Sequence, residues 1–385
     1  MINNKSNQIS EAEIAYIVDV HKIETTFSRR PLTTILVENT ALIAGIGIGL
    51  SFVWVNFFLL GISALLIYRL SEKLGCNHKY ASVNMVVYLL CFSNLFALFP
   101  PVYTYDEPLQ FCFILASFIF YLDKKWIAFI LTFTFALIAR ESTLLMVPAM
   151  ALFLMAEENF SIKLLRSSNY FKKLFVLILP VIFYFVFSIA FVYANDLQSA
   201  TAADFSVRFT GFDINFGEPQ AATETIISFF IILGVPLYFL HFILQEKKLT
   251  TLQKKFIKAF LLTLILNSIV VLLFTKAREV RLFALPLFFI WPLFSDLFKN
   301  EIKLICAPRS YLKLFSSWYF GLYFCFLNFL NYVISFRLYK TTVGGDDYFN
   351  EYLFVVLFII IAHILITSQR RKNLAQTNDK NTIVQ

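Results

Sequence analysis

Two carboxylates stand side by side in Tyr103-Thr104-Tyr105-Asp106-Glu107-Pro108. Adjacent acids flanked by tyrosines could hold a cation, accept sugar hydroxyls or act as a general base. Pro108 suits the first turn of a helix and acids suit its positive end, so the same residues would also serve as a cap with no catalytic role. A second constellation, Ala139-Arg140-Glu141-Ser142, joins two apolar stretches of about 13 residues each, roughly 20 Å as helix and short of the hydrocarbon thickness. The Arg140–Glu141 apex is therefore expected to be recessed, either as a clamp between helices or as a pair facing a wet cavity. Arginine's planar fork would suit a phosphate there. In Lys276-Ala277-Arg278-Glu279-Val280-Arg281, three cations surround one acid. They could bind an anionic headgroup or a lipid-linked phosphate, or form a polar cap with Glu279 pairing internally. Gly344-Gly345-Asp346-Asp347 reads as a turn before it reads as a metal site. His21, His78, His241 and His363 show no zinc spacing and are assigned no catalytic part.

The elements that must position these groups are apolar helices. Of the 385 residues 59% are hydrophobic and 15% charged, with 47 phenylalanines, which excludes an ordinary soluble fold. Apolar runs at 52–70, 81–99, 109–122, 126–138, 144–156, 174–193, 226–244, 256–274, 282–298, 314–336 and 352–367 predict an all-α, polytopic protein with about eleven membrane helices. Residues 33–50 would make a twelfth, or a surface or re-entrant helix carrying Glu38 and the Gly45-Gly47-Gly49 series. The expected organisation is a polar segment 1–32, a membrane domain 33–369 and a basic tail 370–385.

Charge orients the spans. Alternate connections, from Arg69, Lys73 and Lys79 to Arg370, Arg371 and Lys372, hold 22 of the 33 lysines and arginines, and the opposite connections hold seven. Positive residues favour the cytoplasm, so the C-terminus is expected there and the constellations above on the outer face. The first 32 residues balance four basic against four acidic residues and fit either side. One outer connection, 195–225, exceeds ordinary loop lengths and could be a lid, a binding loop or a spacer.

Other classes find no support. Five scattered cysteines offer neither a disulfide framework nor a CxxC site. The +8 charge lies in short loops, which topology explains better than a nucleic-acid partner. Walker, Rossmann and nucleophile-elbow patterns are absent, and the first 30 residues show no cleavable signal pattern.

The order of these features resembles the integral-membrane glycosyltransferases of the GT-C superfamily. Arg29-Arg30-Pro31-Leu32, Val55-Asn56, Leu74-Gly75, Tyr105-Asp106-Glu107-Pro108, Ala139-Arg140-Glu141-Ser142 and Pro148 look like the N-terminal module of bacterial members, and Arg278-Glu279-Val280-Arg281 with Leu285-Pro286 like a later segment. The resemblance covers roughly residues 11–156 and 276–293. It implies transfer of a sugar from a polyprenyl-phosphate donor to a glycan, lipid or protein acceptor outside the inner (plasma) membrane. Glu11, Glu13 or Asp19 would then occupy the acidic position of the first outer loop, near Tyr16. Asp106 and Glu107 would line the second outer loop. Arg140 and Arg278 would lie near the donor phosphate with Arg281 and Lys276, and Glu141, Tyr105 and Arg30 would support them. The apolar span that members carry before the first outer loop is not seen between Met1 and Glu11. A divalent cation, Mg or Mn, would fall to Asp106 and Glu107. The rival readings are a polysaccharide polymerase or ligase, and a transporter or lipid flippase without catalysis.

Overall fold

The computed structural model describes residues 10–97, 104–154, 168–199, 201, 210–246, 249–338 and 349–382. Tyr103, the 344–347 turn, and Asp204 and Arg208 of the long connection lie outside these residues. The described chain is helical and contains no strand, so this is an all-α, multi-pass membrane protein. Six helices are long and apolar enough to cross a bilayer: Ile48–Lys73, Lys173–Ala194, Pro219–Gln245, Thr251–Phe274, Trp318–Leu338 and Phe349–Asn373. A seventh candidate, Val280–Phe289 with Trp291–Leu297, is bent by 50°. Pro286 and Pro292 sit at the starts of successive 3-10 turns there, where each removes a backbone donor.

Other expected spans are shorter than a bilayer requires. Pro31–Ala44, Glu107–Leu122, Trp126–Ala139 and Glu141–Phe153 have only 10–17 residues. The 81–99 run breaks after Leu90, where Cys91 leaves helical geometry and the Asn94 side-chain amide donates to Tyr88 O at 2.8 Å. Neither expected domain boundary coincides with a helix end. Pro31 opens the helix that contains residue 33, and the last helix runs unbroken from Phe349 to Thr382 because no proline or glycine interrupts it.

Contacts divide the chain into two compact units, Met1–Gly217 with Leu249–Phe294, and Glu218–Lys248 with Ser295–Gln385. The first carries the chemistry-bearing residues. Its opening helices are α1 (Glu11–Ile23), α2 (Pro31–Ala44), α3 (Ile48–Lys73) and α4 (His78–Leu90). They are followed by α5 (Glu107–Leu122), α6 (Trp126–Ala139), a 3-10 turn Glu141–Met146, α7 (Val147–Leu154) and α8 (Ser168–Ala194). Buried Ile14, Val18, Val37, Phe52, Val55, Leu109, Cys112 and Ala139 join α1, α2, α3, α5 and α6 in one cluster. Lipid is as apolar as these side chains, so close packing and interhelical hydrogen bonds must hold spans together. Ser63 Oγ meets Tyr88 Oη at 2.6 Å, and the Asn84 amide donates to Pro292 O at 2.8 Å.

The position of α1 follows from the glycines before α3. A side chain at Gly49 would strike the Glu11 backbone, so the two helices approach there at a distance that only glycine allows, while at Gly47 it would meet the Glu11 carboxylate. Ser10 caps α1 by accepting from Glu13 N at 3.4 Å, and Ile14 and Val18 supply its inward stripe.

Candidate functional site

One cavity of about 410 Å³ opens in the first unit, a volume suited to a small polar ligand. Helix α5 starts at its rim, with Asp106 as the residue before the first turn and Pro108 in that turn. Helix α6 also ends at the cavity, where Arg140 leaves helical geometry at φ −159° and turns the chain into the 3-10 segment. The third wall is the C-terminal end of α11 (Thr251–Phe274; α9, Gly211–Phe216, and α10, Pro219–Glu246, precede it) and the segment that follows.

Charged side chains meet here from four separate stretches. Arg30 donates to Glu141 through two nitrogens, Nε to Oε2 at 2.7 Å and Nη2 to Oε1 at 2.5 Å, and its Nη1 lies 3.8 Å from Asp106 Oδ2. Arg140 pairs with Glu107 Oε1, which Arg281 Nε approaches to 3.0 Å; Arg281 Nη2 donates to Glu279 Oε2 at 2.9 Å. The other oxygen of Glu107 accepts from Tyr105 N at 3.2 Å. Glu107 is thus committed to holding two arginines and a backbone amide, whereas Asp106 is not. Asp106 is 1% exposed, and its Oδ1 has no hydrogen-bond partner among the described residues. Lys276 also lines the cavity, and its ammonium forms no ion pair among the described residues.

Electrostatics separates the roles further. Burial pushes the Asp106 carboxyl up to about 6, against the opposing pull of Arg30 and Arg140. Burial, then the Arg30 and Arg281 charges, push Arg140 down to about 9. The cavity lining thus sets Arg30, Arg140, Arg281 and Lys276 among four carboxylates, Asp106, Glu107, Glu141 and Glu279. His21 is held neutral, lowered to about 3 by burial and then by Arg30, Arg281 and Arg140.

Of the residues singled out from sequence, Arg30, Tyr105, Asp106, Glu107, Arg140, Glu141, Lys276 and Arg281 share this cavity. Glu13, Asp19 and Arg278 do not line it; all three are exposed. Ile14 and Val18 take the inner side of α1, which leaves Glu13 and Asp19 outside, and Asp19 pairs with Lys22 at 3.4 Å. Tyr16 is likewise exposed. Within the Asp106–Glu107 pair, to which a divalent cation would fall, Glu107 is already held by Arg140 and Arg281.

Three contributors escape the sequence reading. His21 stacks on Tyr105 with ring centroids 3.5 Å apart and lines the cavity. Its spacing from Ile14 and Val18, i+7 and i+3, places it on the buried stripe, and that was the available signal. Gln110 donates to Thr143 Oγ1 at 2.8 Å and Ser142 Oγ at 3.1 Å, tying α5 to the turn after Arg140. Asn215 in α9 donates to Thr275 O at 2.8 Å and accepts from Ala277 N at 2.8 Å, bracketing Lys276. No local pattern foretold that clamp, because its partners lie about sixty residues away. Compared with known proteins, the chain matches no protein-family model, no curated protein and no solved structure.

Proposed function

We propose that this chain is a membrane glycosyltransferase. It moves a sugar from a polyprenyl-phosphate-linked donor to a hydroxyl of a glycan, lipid or protein acceptor, on the non-cytoplasmic face of the plasma membrane, with the C-terminus cytoplasmic. The observation that carries this reading is the buried Asp106 carboxylate, with one oxygen unpartnered, beside Arg140, Arg281 and Lys276 in one cavity.

Asp106 takes the proton of the acceptor hydroxyl, whose oxygen forms the new bond to C1 of the sugar. The bond from C1 to the phosphate oxygen breaks, and polyprenyl phosphate departs with the electron pair. Arg140, Arg281 and Lys276 offset the charge that develops on the phosphate. Each guanidinium has five donors, so an arginine already paired with a carboxylate still has donors to offer. A carboxyl near 6 is ionised at neutral pH yet remains a useful base. The apolar wall of Val270, Phe274, Leu282 and Leu285 suits the first isoprene units.

Reconstituted protein supplied with radiolabelled polyprenyl-phosphate hexose and membrane extract tests the reading. Release of polyprenyl phosphate is expected from the wild type, with a loss of about 100-fold or more in Asp106→Asn. Equal turnover in both would sink the assignment of the base, and no donor binding by the wild type would sink the reading as a whole.

A further inference from the structure

The second unit carries a separate cavity at its basic end. Its helices here are α12 (Lys299–Cys306), α13 (Pro308–Ser316), α14 (Trp318–Tyr332) and α15 (Phe349–Thr382). Eight and nine residues make α12 and α13 about 12–14 Å long, too short to cross a bilayer. Each is amphipathic: Leu304, Tyr311 and Leu314 pack with Leu365 and Ile366 of α15, while Lys299, Lys303, Arg309 and Lys313 are interspersed along them. Short basic amphipathic helices of this kind lie in the plane of a membrane surface.

Between α13 and α15 is a cavity of about 390 Å³. Lys313 and Ser310 line it from α13, and Ile366, Gln369 and Arg370 from one face of α15. The Gln369 amide donates to Lys313 O at 2.6 Å, which sets the two helices in register. Among the described residues no carboxylate lines the cavity. Neither Lys313 nor Arg370 forms an ion pair among the described residues. Glu301, the acid of α12, is buried and is not part of the lining. Two cations beside a hydroxyl, without an acidic partner among the described residues, call for an anion with several acceptor oxygens.

The surroundings indicate where that anion comes from. On α13 itself Leu312 is 71% and Phe315 51% exposed, and Trp318 and Tyr319 at the start of α14 are 70% and 66% exposed. Exposed aliphatic residues suit acyl chains, and Trp and Tyr at the head of a span mark the headgroup level. We propose that Lys313 and Arg370, with Ser310, form a binding site for the phosphate of an anionic glycerophospholipid, whose chains lie along Leu312 and Phe315. The site is independent of the glycosyltransferase reading.

Native mass spectrometry of the full chain released from nanodiscs, with phosphatidylglycerol or phosphatidylcholine as the probe, tests this. Wild-type protein should retain phosphatidylglycerol over phosphatidylcholine. Lys313→Gln with Arg370→Gln should weaken retention roughly 5-fold per cation, about 25-fold together. Lys313→Arg with Arg370→Lys should restore most of it. Lys303→Gln with Arg309→Gln removes equal charge from the same surface outside the cavity and should change retention by less than about 3-fold. Unchanged retention in the first pair, or equal losses in the first and last pairs, would overturn the site. Displacement of the lipid by an equal concentration of inorganic phosphate would overturn the lipid as its source.

Discussion

Arg30 and Glu141, 111 residues apart, meet through two parallel hydrogen bonds of 2.7 and 2.5 Å. This contact ties the chain entering α2 to the turn leaving α6, and it keeps a guanidinium 3.8 Å from Asp106. Arg30 is 11% and Glu141 33% exposed, so the pair is better shielded than a surface bridge but wetter than a core one. Glu141→Gln is expected to cost about 2–3 kcal/mol, below the loss seen when a fully buried pair is broken. A double-mutant cycle with Arg30→Gln, read by thermal unfolding, measures it; a coupling near zero would show that the contact does not hold the fold.

Asp106 should link activity and stability in opposite senses. Its raised value means that the folded chain keeps the proton between pH 3.8 and about 6, where the unfolded chain loses it. Its contribution to stability is thus fully present below pH 3.8 and is lost as pH rises through about 6. Turnover should rise through the same upper value as the base ionises. Asp106→Asn should lower turnover about 100-fold or more yet raise the unfolding free energy at pH 7.5 by on the order of 1–3 kcal/mol. A variant less stable than wild type at that pH would contradict this.

Asn215 is expected to act on the site from a distance. Asn215→Ala leaves Ala277 N–H and the Thr275 carbonyl without their partner, at a cost of about 2 kcal/mol. Hydrogen exchange over residues 275–282 should accelerate. Transfer should weaken through KM, since Lys276 is held between the two bracketed residues, and an unchanged exchange pattern would remove Asn215 from that role.

Glycine replacements separate packing from flexibility. Gly49→Ala places a methyl group against the Glu11 backbone and should lift α1, with His21, off the cavity wall, lowering both stability and activity. Gly61→Ala in the same helix α3 meets nothing within 4 Å and should be neutral or stabilising by up to about 1 kcal/mol. Equal effects on thermal unfolding from the two would show that the α1–α3 approach is not what Gly49 provides.

Apolar periodicity and composition determined by themselves that this chain is an all-helical membrane protein, because a backbone in lipid must satisfy its own hydrogen bonds. They also marked Asp106, Arg140 and the 276–281 cations as chemically capable, since such groups among apolar runs carry a desolvation cost. Only the tertiary structure decided which of them meet. A neighbouring acid such as Glu107 differs from Asp106 not in type but in having two arginines and an amide upon it. Only packing could bring His21 in and leave Glu13, Asp19 and Arg278 out, because the facing of α1 depends on the close approach at Gly49, and the 276–281 segment on the Asn215 clamp. Bent and shortened spans were equally beyond a hydropathy count, which measures apolar length and not where proline or a side-chain amide breaks the helix.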